Sequence, residues 1–178
     1  MKVLFDTNIL ISKIGRNTDL ENKLSQAASF IIKRCDELNW TKCISERTLR
    51  EFEKGWENCK TPKDKLTNEK TLLKEFVILH YHIGNESWEK IDGKWGNIGS
   101  LWNNDEESKI ADEIQEHLSA EKHKHDRGIL LDAIYNGCEI VISENWSDFR
   151  RISDVGGKYK VLICKPENFK EASENYLS

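Results

Sequence analysis

The sequence predicts an α/β sandwich built around a mostly parallel sheet. Two observations point there. Short apolar runs alternate with helical stretches from one end of the chain to the other, the pattern left by strands joined through helical crossovers. Acids follow directly on strand ends, where the ligand crevice of such a fold lies beyond the carboxyl edge of the sheet.

Residues 2–5, KVLF, are a short β run, and Asp6-Thr7-Asn8 then supplies helix-capping chemistry for a helix over 9–14. From Asp19 to Leu38 the residues Leu20, Leu24, Ala27, Ala28, Ile31, Ile32 and Cys35 recur at helical spacing. TKCIS, 41–45, is a second strand; Leu49, Phe52 and Trp56 mark a helix over 46–57. Pro62 breaks that run, a further helix is expected over 63–75, and FVILHYHI, 76–83, is a third strand. Residues 84–104, rich in Gly and Asn and carrying Trp88, Trp95 and Trp102, are expected to be an irregular loop. Helices follow over 105–120 and 126–136, the latter ended by Gly137 at a C′ position. CEIVI, 138–142, and YKVLIC, 159–164, complete the strands, and Pro166 opens a last short helix.

One hydrophobic core suits a chain of 178 residues, so a single domain over 1–178 is expected, with an insertion at about 60–104. There is no apolar run long enough to span a membrane, and MKVLFDTNILI lacks the basic start and cleavage site of a signal peptide. The five cysteines form no CxxC pair, which suggests buried thiols in a reducing, cytoplasmic setting and argues against zinc. The five histidines, among them His117, His123 and His125, read as surface or loop residues. A net charge of −4 disfavours clamping nucleic acid by bulk charge, while it suits a carboxylate site that a cation would neutralise.

Asp6 is placed at the carboxyl edge of the first strand and reads equally well as a helix cap. Glu51 lies about two turns into the helix after the second strand and by itself reads as a solvated residue. Asp126 opens the helix that precedes CEIVI, again with a capping role as the bland alternative. Asp132 cannot share its face. Beyond that strand come Ser143, Asn145 and Asp148.

Taken in order, VLFDTNILI, an LxEF segment near 49–52, an Asp opening a helix that runs through AIxNGxxIVIS into SxN and DF, and a closing YKVLICKPENF resemble the PIN-domain ribonuclease family, including its VapC-like toxins. The resemblance implies a three-layer α/β/α sandwich with strand order 3-2-1-4-5 and an acidic pocket at one sheet edge. Carried over residue by residue, Asp6, Glu51 and Asp126 match the core acids and metal ligands, Asn8 the residue supporting the first acid, and Ser143 the Ser/Thr of the fourth motif. Asn145 departs from the pattern, standing where many members have a fourth Asp; Asp148 would substitute only if its loop folds back.

The implied activity is hydrolysis of RNA by carboxylates that hold Mg²⁺ or Mn²⁺, leaving a 5′-phosphate and a 3′-hydroxyl. Arg47, Arg50, Lys124, His125 and Arg127 are candidate backbone contacts, each also readable as an ordinary surface charge. The three tryptophans suit lid packing better than stacking on bases. Expected partners are RNA, an antitoxin protein with an arginine-bearing tail, and a second copy in a homodimer; no membrane is expected. A catalytically degenerate PIN-like binding module is the alternative, on the strength of Asn145. A phosphohydrolase that begins with Asp after a strand needs a second Asp two residues on, where this chain has Asn8.

Overall fold

The computed structural model describes residues 1–14, 19–58, 67, 70–80, 90–91, 94–95 and 105–175. Five strands, β1 (Lys2–Phe5), β2 (Thr41–Ser45), β3 (Val77–Leu79), β4 (Ile140–Ile142) and β5 (Leu162–Cys164), form one sheet in the order β3-β2-β1-β4-β5. All four pairings are parallel; Leu4 of β1 stands opposite Cys43 on one side and Val141 on the other. This is the α/β fold and strand order expected from the sequence.

Side chains of the central strands alternate between two cores. Val3, Phe5, Ile44, Ile140 and Ile142 face α1 (Thr7–Ile14) and α2 (Asp19–Glu37), where Ile9, Leu10, Ile31 and Ile32 close the layer. Leu4, Cys43, Val141 and Ile163 face α4 (Asp105–His117) and α5 (Lys124–Tyr135), against Ile110, Ile114, Ile129 and Leu130. Burial on both faces explains why the strands read as unbroken apolar runs. The remaining helices are α3 (Glu46–Asn58), α6 (Trp146–Phe149), α7 (Ser153–Lys158) and α8 (Phe169–Asn175).

β4 and β5 begin later in the chain than the expected 138 and 159, while β2 begins at Thr41 as expected, and one local geometry precedes all three. The helices before them end in caps with a left-handed residue: Asn39 (φ 53°), Gly137 (φ 62°) and Lys160 (φ 62°). The next amide then reaches back to the last turn, as Trp40 N to Cys35 O (2.8 Å), Cys138 N to Ala133 O (2.9 Å) and Val161 N to Gly156 O (2.8 Å). These are Schellman-type terminations. Cys138 and Tyr159, expected in strands, therefore belong to helix ends.

Within 84–104 a short antiparallel pair, Lys90–Ile91 with Lys94–Trp95, is described; the rest of that segment, including Trp88 and Trp102, lies outside the described residues, as do 63–66 and 68–69 of the helix expected over 63–75, of which 70–73 are helical. Cys35, Cys43, Cys138 and Cys164 are buried free thiols. Among the described residues no helix is long and apolar enough to cross a membrane.

Candidate active site

The strand order reverses between β1 and β4, the position at which an open parallel sheet leaves a crevice beyond its strand ends. Asp6 follows β1 there and is anchored by its amide to the carbonyl of Ile142 (3.0 Å). It is almost fully buried. Its Oδ1 accepts the Thr7 amide at the start of α1 (2.7 Å), where the helix end favours a negative charge. Its Oδ2 accepts Asn8 Nδ2 (2.9 Å) and the Ser143 hydroxyl (2.5 Å) from the end of β4. Asn8 and Ser143 thus hold the carboxylate in a fixed orientation.

Asp126 comes from the other side. It is not the cap of α5: that helix begins at Lys124 with His123 as its cap, so Asp126 lies in the first turn and points into the crevice. Burial, then the nearby Asp6 and Asp148 carboxylates, pushes its carboxyl up to about 6 from 3.8, against the opposing pull of the Asn145 amide and His125. Asn145 Nδ2 donates to Asp126 Oδ2 (3.1 Å) and to Asp148 Oδ2 (3.0 Å). Its amide N–H is held by Ser143 Oγ (3.0 Å), which ties the Asn145 loop to the Asp6 support. The chain after β4 therefore does fold back: α6 returns the Asp148 carboxylate to the pocket that Asn145 cannot charge.

Glu51 is carried by α3, whose start is capped by Ser45 Oγ accepting the Thr48 amide (3.2 Å). Its half-exposed carboxylate lies 3.2 Å from His125 Nδ1, and His125 Nε2 lies 3.7 Å from Asp6 Oδ1. The imidazole stands between two of the expected ligands. Burial alone would lower its pKa, yet Asp6, Glu51 and Asp126 around it outweigh that and raise it above the ordinary imidazole value. At 3.7 Å its contact with Asp6 is electrostatic, too long for a hydrogen bond.

Among the described residues, the His, Cys, Asp and Glu side chains that bring one ligand atom each within 4.8 Å of one another are His123, Asp126 and Asp148. The sequence missed His123, read there as a loop residue. Its signal was the spacing His123…Asp126, three apart across the start of a helix and so on one face.

Two expected backbone contacts have other roles. Arg127 is fully buried, and its Nη1 donates to the carbonyls of Leu118 and Ala120 (the latter 2.9 Å), closing the turn before α5. Arg47 lies over Gly128 with Nε 3.6 Å from the buried Asp132 carboxylate, an ion pair that joins α3 to α5. Arg50 is exposed and Lys124 half-buried.

The donor set is dominated by carboxylate oxygens, and Asp126 cannot stay ionised cheaply at neutral pH beside Asp6. Such a pocket fits a hard divalent cation.

No family model matches the chain, and no curated protein matches it. Solved structures do. A chain of VapBC2 from Rickettsia felis, bound to a DNA fragment from its promoter, superposes with a TM-score of 0.60 at 16% identity over 93% of this chain and 98% of that one. A chain of VapBC-1 from nontypeable Haemophilus influenzae gives 0.57 at 16% identity, covering 94% and 99%. A chain of FitAcB from Neisseria gonorrhoeae gives 0.53 at 18% identity, covering 92% and 97%. Together with the strand order and the crevice between β1 and β4, these matches give the chain the PIN-domain fold.

Proposed function

We propose that the protein is a metal-dependent endoribonuclease. The observation that supports this most is the pair of buried acids, Asp6 and Asp126, brought from distant parts of the chain to the reversal point of the sheet, with Asp126 pushed up to about 6.

Asp6 and Asp126 would hold the cation, with Glu51 joining directly or through water once His125 moves aside. A bound Mg²⁺ or Mn²⁺ supplies Lewis acidity to a water and to the scissile phosphate. Ser143 and Asn8 fix the Asp6 oxygens, so that ligand is oriented in advance. Asn145 positions water or the phosphate through its amide. His125, whose pKa the surrounding acids raise, stands between Asp6 and Glu51 and would have to leave that place for Glu51 to reach a cation held by Asp6. RNA is the substrate class the sequence resemblance implies.

The similar solved structures are of VapBC proteins, one of them on promoter DNA, and VapC-like toxins belong to the family the sequence resembles. On that resemblance we read this chain as a toxin neutralised by a partner protein whose arginine tail would enter the acidic pocket. Asn145, in place of a fourth acid, favours the second reading of a module that binds without cutting.

The test is cleavage of a pool of labelled single-stranded RNAs with Mn²⁺, with Mg²⁺ and with chelator. Metal-dependent cutting that disappears in Asp6→Asn and Asp126→Asn supports the nuclease. Wild-type protein that binds the metal and cuts nothing supports the degenerate module.

A further inference from the structure

We propose that His123, Asp126 and Asp148 form a mixed nitrogen–oxygen cation site that selects a first-row transition ion over Mg²⁺. The assignment goes beyond the nuclease reading: it shares Asp126 and Asn145 with that pocket and adds His123 and Asp148, to which the nuclease reading gives no ligand role.

His123 is 3% exposed, and its Nδ1 is shielded from solvent and has no hydrogen-bond partner. A buried ring nitrogen left unpaired costs about 1–3 kcal/mol unless something meets it. Its neighbours are two carboxylate oxygens: Asp148 Oδ2 at 3.1 Å, off the axis an N–H bond requires, and Asp126 Oδ2 at 4.0 Å. Adjacent ligands of an ion with bonds of about 2.1 Å at right angles lie about 3 Å apart. The His123–Asp148 pair already has that spacing, Asp126 Oδ2 stands farther from the ring nitrogen, and all three residues offer a ligand atom within 4.8 Å of the others, so small side-chain rotations would close the set.

Each ligand is delivered by a separate local feature. His123 ends the short 3-10 turn Glu121–His123, Asp126 lies three residues on in α5, and Asp148 is in α6. The Asn145 amide now bridges the two carboxylates with its NH₂. The same amide turned over presents Oδ1 to the same point, which would make it a fourth donor in place of a cation substitute.

The nitrogen sets the selectivity. Mg²⁺ takes oxygen ligands and keeps its waters, whereas imidazole binds first-row transition ions well. An all-carboxylate PIN pocket would not discriminate in this way.

The experiment is pulsed EPR of the full chain with one equivalent of Mn²⁺, together with Mn²⁺ and Mg²⁺ affinities by calorimetry. The expected result is ¹⁴N modulation from one imidazole, present in wild type and in His125→Ala and lost in His123→Ala. Asp148→Asn, at a partly exposed position, should weaken Mn²⁺ by about tenfold or more, and Mg²⁺ by less; it carries the test if His123→Ala fails to fold. Mn²⁺ bound without nitrogen modulation, modulation lost in His125→Ala instead, or no Mn²⁺ bound overturns the assignment. Cleavage without nitrogen modulation would sink this site and leave the nuclease standing; nitrogen modulation without cleavage would do the reverse.

Discussion

Replacing Asp126 by Asn should make the metal-free protein more stable while removing the proposed nuclease activity. The folded chain holds the Asp126 proton more tightly than the unfolded chain does, since burial and then Asp6 push its carboxyl up to about 6 from 3.8. Stability linked to this group is therefore complete below the unfolded value and is lost as pH rises through 6. Above both values the ionised carboxylate costs about 3 kcal/mol, from a displacement of some two pH units at about 1.4 kcal/mol each. Asparagine keeps an oxygen to accept the Asn145 amide and removes the charge. At neutral pH in chelator the variant should gain about 2–3 kcal/mol, or a melting temperature higher by about 5–10 °C. The gain should shrink towards pH 4–5, where wild type is itself protonated. Saturating Mn²⁺ should reverse the order, since binding stabilises only the chain that holds the ion. Thermal melts across pH with and without Mn²⁺ read this directly. An Asn variant that melts at or below wild type at neutral pH in chelator would refute the electrostatic account.

Cleavage at subsaturating Mn²⁺ should fall as pH drops through about 6, because a proton there competes with the cation for Asp126, and protonation of His125 between Asp6 and Glu51 acts in the same direction; saturating Mn²⁺ should move the fall to lower pH, and rates across pH at both Mn²⁺ levels check this. Arg127→Met should destabilise the fold by about 3 kcal/mol, since it strips the Leu118 and Ala120 carbonyls of a buried charged donor; urea unfolding measures this, and reduced RNA binding at unchanged stability would contradict the buried role. Gly128→Ala should cost about 1–3 kcal/mol, because its Cβ would fall 2.4 Å from Arg47 Nε within the α3–α5 contact; the same urea unfolding decides, and an unchanged midpoint would mean that Arg47 moves aside freely.

The strand–helix alternation was legible in the sequence because strands buried on both faces leave continuous apolar runs. The start of β2 was legible too, but β4 and β5 begin later than expected, since Cys138 and Tyr159 continue the apolar runs while their backbone belongs to the left-handed terminations at Gly137 and Lys160. Asp6 could be placed beside Ser143 and Asn8 because all three sit within three residues of a strand end. Asp148 and His123 were harder. Each reaches the pocket through a local turn of helix whose direction depends on packing, and no apolar period encodes it. Arg47 and Arg127 misled for the opposite reason: an arginine next to a motif reads as a surface charge, whereas here each is spent on a buried carboxylate or carbonyl.

The most direct measurement is the identity of the RNA ends after Mn²⁺-dependent cleavage. Two histidines stand beside the acids, so water held by carboxylate-bound metal has a rival in attack by the RNA's own 2′-hydroxyl. The account predicts 5′-phosphate and 3′-hydroxyl ends, formed only with the cation and lost in Asp6→Asn. Cyclic 2′,3′-phosphate ends formed in chelator, and abolished by His125→Ala rather than Asp6→Asn, would contradict it.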